Sequence, residues 1–361
     1  MVQPKKMPNK LDSPLFWVGL FNDFILITSG GGGKNYGLPN DVKVYRNQYP
    51  VKDVVDSLDF DTELLSHFEF AYNGLNYFIA SLSKYLVIFE INPENGKLTQ
   101  IKKLQADFHE KSPEVTKSKW SKDNKFVIWG GEEGIIRMYS VVYENNNIIT
   151  GFELDNEFGA HSEGINDISI NSDSSMVASS SVDKTWRIYS VKTGKWVKKL
   201  SFSEGIGVEN LQFKGILFSP DSKYLYTLAT KFKGRSYLIK WDAKDENFNP
   251  IDTTPAHTGP SWIMNINSQG NNIAIGTNDG FVVGVNADTM TQYRSEKKHK
   301  MPVSSIIFSA DNSKILTTSA DYTYWVINNN AQSSLYQKFV YLCFVVLLLS
   351  TIYCLINKFM M

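Results

Sequence analysis

Short apolar runs separated by polar turns recur along most of this chain. In the segment that begins at His161, apolar and polar residues alternate over short runs, and Gly, Asn, Asp and Ser interrupt the runs. Such alternation is typical of antiparallel strands joined by tight turns. The segments that begin at His257 and His299 repeat the order of strand, polar turn, strand, Asp-containing turn and strand. The pattern predicts an all-β protein built from copies of one unit.

The spacing of the copies predicts a ring of seven blades. Asp183, Asp279 and Asp321 each lie 22 residues after the histidine of their segment, and the histidines are 96 and 42 residues apart. These intervals correspond to two periods and one period of a WD-type repeat. Weaker copies occupy four further segments: Ser13–Asn47, Leu64–Asn92, Ser112–Val141 and Phe213–Asp242. Because a lone four-stranded sheet leaves apolar faces exposed, we expect residues 1–328 to close into a seven-bladed WD-repeat β-propeller. We expect each repeat's His and Asp to be structural.

An uncharged stretch of 18 residues, 339–356, predicts one transmembrane helix. At ~1.5 Å per residue this helix would span ~27 Å, which fits a thin bilayer such as that of the endoplasmic reticulum (ER). Residues 329–338 would form a short tether, and residues 357–361 a lumenal tail. A buried core helix is the alternative, but it requires a partner domain that the five following residues do not supply.

Other features favour a cytosolic propeller. The N-terminal residues are basic and polar, and Asn22 and Asp23 interrupt the first apolar run, which makes a poor signal-peptide core. Both cysteines, Cys343 and Cys354, lie in the predicted membrane segment, and no Asn-x-Ser/Thr sequence occurs. Disulfides and N-glycans are therefore not expected in the propeller. Lys plus Arg and Asp plus Glu both number 37, so no overall charge directs the chain to nucleic acid.

Residues 26–44, with the sequence LITSGGGGKNYGLPNDVKV, depart from the repeat. Two-residue turns usually suffice for a hairpin, but about a dozen residues separate the two predicted strands here. A nucleotide-phosphate loop is excluded, because Asn35 follows Gly33-Lys34 where Ser or Thr is required and no helix follows. A passive flexible loop and a shaped protruding loop stay open. Pro39 fixes its own φ and restricts Leu38, and Asn40 is suited to bonding nearby backbone, which favours a stiff interaction tip.

The GGGG…GLPN element in the first blade of a membrane-anchored propeller resembles the guanine-nucleotide exchange factors of the COPII pathway, the prolactin regulatory element-binding protein family. The resemblance covers the whole chain, with Leu38 standing where Ile is frequent. It implies that a bound potassium ion orders the loop and that the loop contacts the Sar-family small GTPase. The implied ion-holding residues are Gly30, Gly31, Gly32, Gly33 and Asn40. The implied GTPase-contacting residues are Leu38, Pro39 and Asn40.

The function implied by this resemblance is nucleotide exchange on a Sar-family GTPase at the ER membrane, which initiates COPII vesicle coat assembly. An exchange factor makes no covalent bond, because it acts by binding the nucleotide-free GTPase more tightly than the loaded form. We therefore expect no catalytic triad, and the sequence shows no such grouping. The alternative is a non-catalytic membrane-tethered scaffold or adaptor in ER-to-Golgi transport. A hydrolase or transferase has no supporting set of residues.

Overall fold

A computed structural model gives the fold of residues 9–30, 37–63, 65–110, 113–145, 148–159, 161–201, 211–231 and 234–329. Across these ranges the chain forms 28 β-strands and no helix. The strands pair antiparallel, four at a time, into seven sheets. The predicted all-β, seven-bladed propeller is confirmed.

The predicted membrane helix at 339–356 and the predicted lumenal tail at 357–361 lie outside these residues, as does all but Asn329 of the predicted tether at 329–338. Within the described ranges, no helix has the length and apolarity needed to cross a bilayer. The membrane anchor therefore stays a prediction from the sequence.

The first strands of the chain build the N-terminal half of the ring. β1 is Asn9–Lys10. Blade one contains β2 Leu15–Phe21, β3 Phe24–Ser29, β4 Asp41–Arg46 and β5 Val54–Asp59. Blade two contains β6 Leu65–Phe70, β7 Tyr77–Leu82, β8 Tyr85–Ile91 and β9 Leu98–Gln105. Blade three contains β10 Val115–Trp120, β11 Phe126–Gly131, β12 Ile136–Glu144 and β13 Ile148–Phe158.

The remaining strands complete the ring. Blade four contains β14 Ile165–Ile170, β15 Met176–Ser181, β16 Thr185–Ser190 and β17 Trp196–Ser201. Blade five contains β18 Leu211–Phe218, β19 Tyr224–Lys231, β20 Ser236–Asp242 and β21 Pro250–His257. Blade six contains β22 Ser261–Ile266, β23 Asn272–Thr277, β24 Phe281–Asn286 and β25 Gln292–Lys297. Blade seven contains β26 Val303–Phe308, β27 Lys314–Ser319, β28 Thr323–Asn328 and, as its fourth strand, β1.

The short strand β1 closes the ring. Asn9 and Lys10 pair antiparallel with Tyr324 and Thr323 of β28, so the N-terminal part of the chain supplies the outer strand of blade seven. The amide of Leu11 continues the contact by donating to the Tyr322 carbonyl at 2.9 Å. The two ends of the propeller sequence therefore share one sheet, which was not predicted from the polar N-terminal sequence.

Each blade buries both faces of its sheet, one against each neighbour. In β7, Phe78 and Ala80 belong to the apolar cluster shared with blade one, whereas Tyr77 and Ile79 belong to the cluster shared with blade three. Seven such clusters lie between neighbouring blades across the described residues. Successive side chains of such a strand therefore point into two different inter-blade interfaces. They do not alternate between a core and solvent.

The first strand of each blade lies innermost, and these seven strands surround a central channel of about 550 Å³. Side-chain hydrogen bonds join the strands at corresponding ends. The Ser304 hydroxyl donates to the Leu15 carbonyl at 2.7 Å near the start of β26 and β2, and the Phe218 amide donates to the Ser169 hydroxyl at 3.0 Å near the end of β18 and β14. The inner strands therefore all point in the same direction along the axis of the ring.

The predicted His–Asp pairs are present in the structure. His161 Nδ1 lies 2.9 Å from Asp183 Oδ2, its Nε2 lies 2.8 Å from the Ser179 hydroxyl, and the Thr185 hydroxyl donates to Asp183 at 2.6 Å. Each pair ties the segment before an inner strand to the turn between the second and third strands. In the other two repeats the histidine also lies beside its aspartate: His257 Nε2 is 3.0 Å from Asp279 Oδ1, and His299 Nδ1 is 3.5 Å from Asp321 Oδ1 and 2.8 Å from the Thr323 hydroxyl. These contacts support the structural role expected for both residue types.

Acid should weaken the propeller through these histidines. Burial, partly offset by Asp321, lowers the pKa of His299 from 6.5 to about 4. Between about pH 6.5 and pH 4, His299 is therefore protonated in the unfolded chain but neutral in the folded chain. The free energy of unfolding should fall as the pH drops through that window. Denaturant midpoints measured from pH 7 to pH 4 should show this fall, and His299→Gln should flatten it. Equal pH slopes for wild type and variant would contradict the role of His299.

The interface between blades four and five should be sensitive to loss of one ring. Trp186 and Trp241 are 0% and 1% exposed and pack edge to face with ring centroids 4.9 Å apart. Trp186→Ala should lower the free energy of unfolding by ~3–5 kcal/mol, because it leaves a cavity in a packed interface. Trp196→Ala in the same blade is the matched control, since that ring is 57% exposed. Chemical denaturation of both variants should separate them, and similar losses would refute the buried role of Trp186.

Candidate functional site

The connection between β3 and β4 distinguishes blade one from the other blades. Ser29 pairs with Asp41 at the last position of the β3–β4 ladder, and the eleven residues 30–40 join the two strands. The same connection has two to four residues in each of the other six blades. The glycine-rich segment is therefore an insertion between the second and third strands of blade one. The two strands that carry it are paired along their full length.

Both ends of this connection are bonded to the blade framework. The Gly30 amide donates to the Pro14 carbonyl at 3.1 Å, just before β2. At the other end, the Phe60 amide donates to the Asn40 carbonyl at 2.8 Å, and Asn40 Nδ2 donates to the Asp61 carbonyl at 3.0 Å. Asn40 therefore bonds nearby backbone, as expected from its place in the sequence. The two ends of the loop are fixed independently of its middle.

The described part of the predicted tip is less exposed than expected. Gly37 is exposed and has a φ of 75°, a value that favours glycine. Leu38 and Pro39 are half-buried, and Asn40 is only 1% exposed. In this arrangement the Asn40 side chain shapes the end of the loop, and direct contact with a partner would require it to leave its position. Leu38 and Pro39 keep accessible surface for such a contact.

The potassium ion implied by the family resemblance needs oxygen ligands, which large monovalent ions take from carbonyl groups. Asn40 Nδ2 donates to the Asp61 carbonyl, and of the Asn40 side-chain atoms only the oxygen is of a type that binds such an ion. The Thr28 hydroxyl, two residues before Gly30, is buried and has no hydrogen-bond partner within the described residues. Amide and hydroxyl oxygens are of the type that potassium binds. Gly31, Gly32 and Gly33, which complete the implied site, lie outside the described residues.

Charge at the loop base is locally balanced. Asp41 is 5% exposed, accepts a hydrogen bond from the Ser29 hydroxyl, and lies 3.1 Å from Lys43 Nζ. A buried carboxylate with these partners strengthens the last pair of the ladder and places a negative group directly after Asn40.

No grouping of three or more His, Cys, Asp and Glu residues suited to a metal ion occurs in the part of the chain that the structure describes.

Phe60 and Asp61 are the supports of the loop that the sequence did not reveal. They follow β5, about twenty residues after Asn40, and Asp61 has a φ of 57°. The Asp59 carboxylate stabilises that turn by accepting from the Asp61 amide at 2.9 Å. Asp59 and Asp61 are residue types common in turns, which is the only local signal, and their pairing with Asn40 depends on the blade being assembled.

Comparison with protein families finds the WD domain, G-beta repeat, over residues 152–190. The matched stretch begins in β13, the outer strand of blade three, and ends with β16 of blade four, so the sequence repeat and the blade are offset by one strand. No curated protein matches the chain. The chain therefore contains a WD40 repeat within a seven-bladed β-propeller, consistent with a WD-repeat protein.

Asn40→Ala should loosen the loop and leave the propeller folded. The variant loses the bond to the Asp61 carbonyl, which should lower stability by ~1 kcal/mol and speed tryptic cleavage at Lys34. Asn166→Ala is the matched control, because Asn166 Nδ2 donates to the Phe213 carbonyl at 2.8 Å between two other blades. Cleavage at Lys34 should accelerate in Asn40→Ala only. Acceleration in both variants would indicate a general loss of stability, not a local support.

Proposed function

We propose that this protein is a guanine-nucleotide exchange factor for a Sar-family small GTPase at the ER membrane, where it would initiate COPII coat assembly. The observation that carries the proposal is the eleven-residue connection of blade one, which replaces a turn of two to four residues and has both ends bonded to the framework. This connection contains the GGGG…GLPN element that resembles the exchange-factor family. A propeller scaffold that carries such a connection suits a protein that acts by contact.

The supported ends of the loop suggest how binding energy would be used. An exchange factor must bind the nucleotide-free GTPase more tightly than the loaded form. A loop whose ends are already fixed loses less conformational entropy on docking, so more of its contact energy is retained. Leu38 and Pro39 would supply the apolar contact. Asn40 would act as a positioning residue, because its side chain is bonded to the Asp61 carbonyl beneath them.

Potassium would add order to the glycine-rich part of the loop. A bound ion would be held by carbonyl groups of Gly30 to Gly33 and by the side-chain oxygen of Asn40. Carbonyl groups hold the ion in the same way in other potassium sites. The predicted helix at 339–356 would hold the propeller at the membrane and so restrict exchange to that surface. A non-catalytic scaffold would need the anchor and the propeller, but it would not need this loop.

The proposal is tested by nucleotide release from a purified Sar-family GTPase loaded with fluorescent GDP. The full chain in detergent micelles should accelerate release, and replacement of potassium by sodium should reduce the effect. Leu38→Ala should slow catalysed release by about tenfold, which corresponds to ~1.4 kcal/mol of lost transition-state contact. Leu154→Ala is the matched control, since Leu154 lies in β13 of blade three and is 53% exposed.

The outcomes separate the competing functions. No acceleration at micromolar protein would overturn the exchange proposal, and binding of the GTPase without release would favour the scaffold. Equal release rates in potassium and in sodium would show that the ion is not required, and the loop alone would then account for exchange. Equal rates for Leu38→Ala and wild type would show that the loop tip does not contact the GTPase.

A further inference from the structure

The central channel carries charged side chains that the proposed exchange activity does not use. Lys117 and Lys119 lie on β10 and Lys214 lies on β18, and all three line the channel. Two carboxylates accompany them, Glu69 on β6 and Asp167 on β14. Three ammonium groups and two carboxylates leave an excess of positive charge in the channel.

Both carboxylates are already engaged by other groups. Glu69 Oε2 lies 2.9 Å from Lys119 Nζ, and Glu69 Oε1 accepts from the Tyr72 hydroxyl at 3.2 Å. Asp167 Oδ2 accepts from the Ile216 amide at 3.0 Å. The pair of Glu69 and Lys119 is therefore satisfied within the channel wall, and Asp167 is tied to the backbone of the next blade.

Lys117 and Lys214 lack such a partner. Neither forms an ion pair with a carboxylate in the part of the chain that the structure describes, and Lys117 Nζ instead lies 4.7 Å above the Trp17 ring. Burial lowers the pKa of both ammonium groups, although Asp167 acts in the opposite direction on Lys117. Asp167 thus balances part of the charge on Lys117, whereas burial alone acts on Lys214. An ammonium group removed from water without a full counter-charge is costly, and a bound anion would offset that cost.

His67 adds an unsatisfied polar atom to the same channel. The imidazole is 1% exposed, its Nδ1 lies 3.3 Å from the Ser118 hydroxyl, and its Nε2 has no hydrogen-bond partner within the described ranges. Burial and the neighbouring Lys117 and Lys119 lower the pKa of His67, so the ring stays neutral at physiological pH. A neutral ring that accepts from Ser118 at Nδ1 carries its proton on Nε2, which is then an unused donor.

We propose that the central channel binds a small phosphate-bearing anion through Lys117 and Lys214. The channel volume of about 550 Å³ is that of a small-molecule site, which favours a small ligand over a folded segment of a partner. Lysine ammonium groups act as point charges toward phosphate oxygens, so two of them suit a doubly charged group. The Trp17 ring, whose centroid lies 4.7 Å from Lys117 Nζ, holds that ammonium group at the channel wall by a cation–π contact.

The ligand would enter from the face opposite the glycine loop. A second cavity of about 360 Å³ shares Glu69 and Lys119 with the channel and is also lined by Lys122 and Pro220. These last two residues follow the ends of β10 and β18, whereas Gly30 is bonded to Pro14 at the start of β2. Because the inner strands run in the same direction, the two features lie on opposite faces of the ring.

Isothermal titration of the full chain in detergent micelles with pyrophosphate and with inorganic phosphate tests this proposal. Pyrophosphate should bind with one-to-one stoichiometry, and Lys214→Gln and Lys117→Met should each weaken binding by about tenfold or more. Lys214→Arg, which keeps the charge, should retain binding. Lys125→Gln is the matched control, because that side chain is 80% exposed and lies outside the channel. Thermal melting without ligand should show all variants folded.

Several results would overturn the proposal. These are the absence of saturable binding at millimolar pyrophosphate, unchanged affinity in a folded Lys214→Gln variant, or loss of affinity in Lys125→Gln equal to that in Lys214→Gln. Binding of a short acidic peptide with no response to either phosphate would assign the channel to a different ligand class. The titrations contain no GTPase, so their result and the result of the exchange assay are independent.

Discussion

Burial of both faces of every sheet, one against each neighbouring blade, is the constraint on which this structure depends. A four-stranded blade whose two faces are both apolar is stable only with a blade on each side, and a linear array would leave two faces in water. Closure of the ring removes those end faces. The β1–β28 pairing secures that closure with backbone hydrogen bonds, because one sheet contains strands from the start and the end of the propeller sequence.

The same constraint makes blade one a rigid base for an unusual loop. β3 and β4 are held by their own ladder and by apolar clusters on both sides, so eleven residues can leave between Ser29 and Asp41 without disturbing the sheet. The loop ends then bond to Pro14 and to Phe60, which belong to the adjoining segments of the same blade. Adaptable loop sequence on a rigid scaffold is the usual way in which a repeat fold acquires a binding site.

The channel follows from the geometry of the ring in a different way. Most apolar side chains pack in the seven inter-blade interfaces. The side chains of the inner strands that point away from those interfaces face the central channel. Lysines on β10 and β18 therefore line the same channel, although almost a hundred residues separate Lys117 from Lys214. Charge on the wall of a narrow channel interacts more strongly with an entering ligand than charge on an open surface does.

Local sequence determined the strands, the turns and the repeat. Period-2 alternation, the polar turns between the apolar runs and the 22-residue spacing of His and Asp all concern residues close together in the chain, and the observed strands and the His161–Asp183 contact agree with them. The glycine-rich departure from the repeat was visible for the same reason. Only the tertiary structure decided that β1 completes blade seven, that Asp61 holds Asn40, and that lysines of different blades share one channel. These contacts join distant residues, and their pairing is fixed by closure of the ring, which no local pattern encodes.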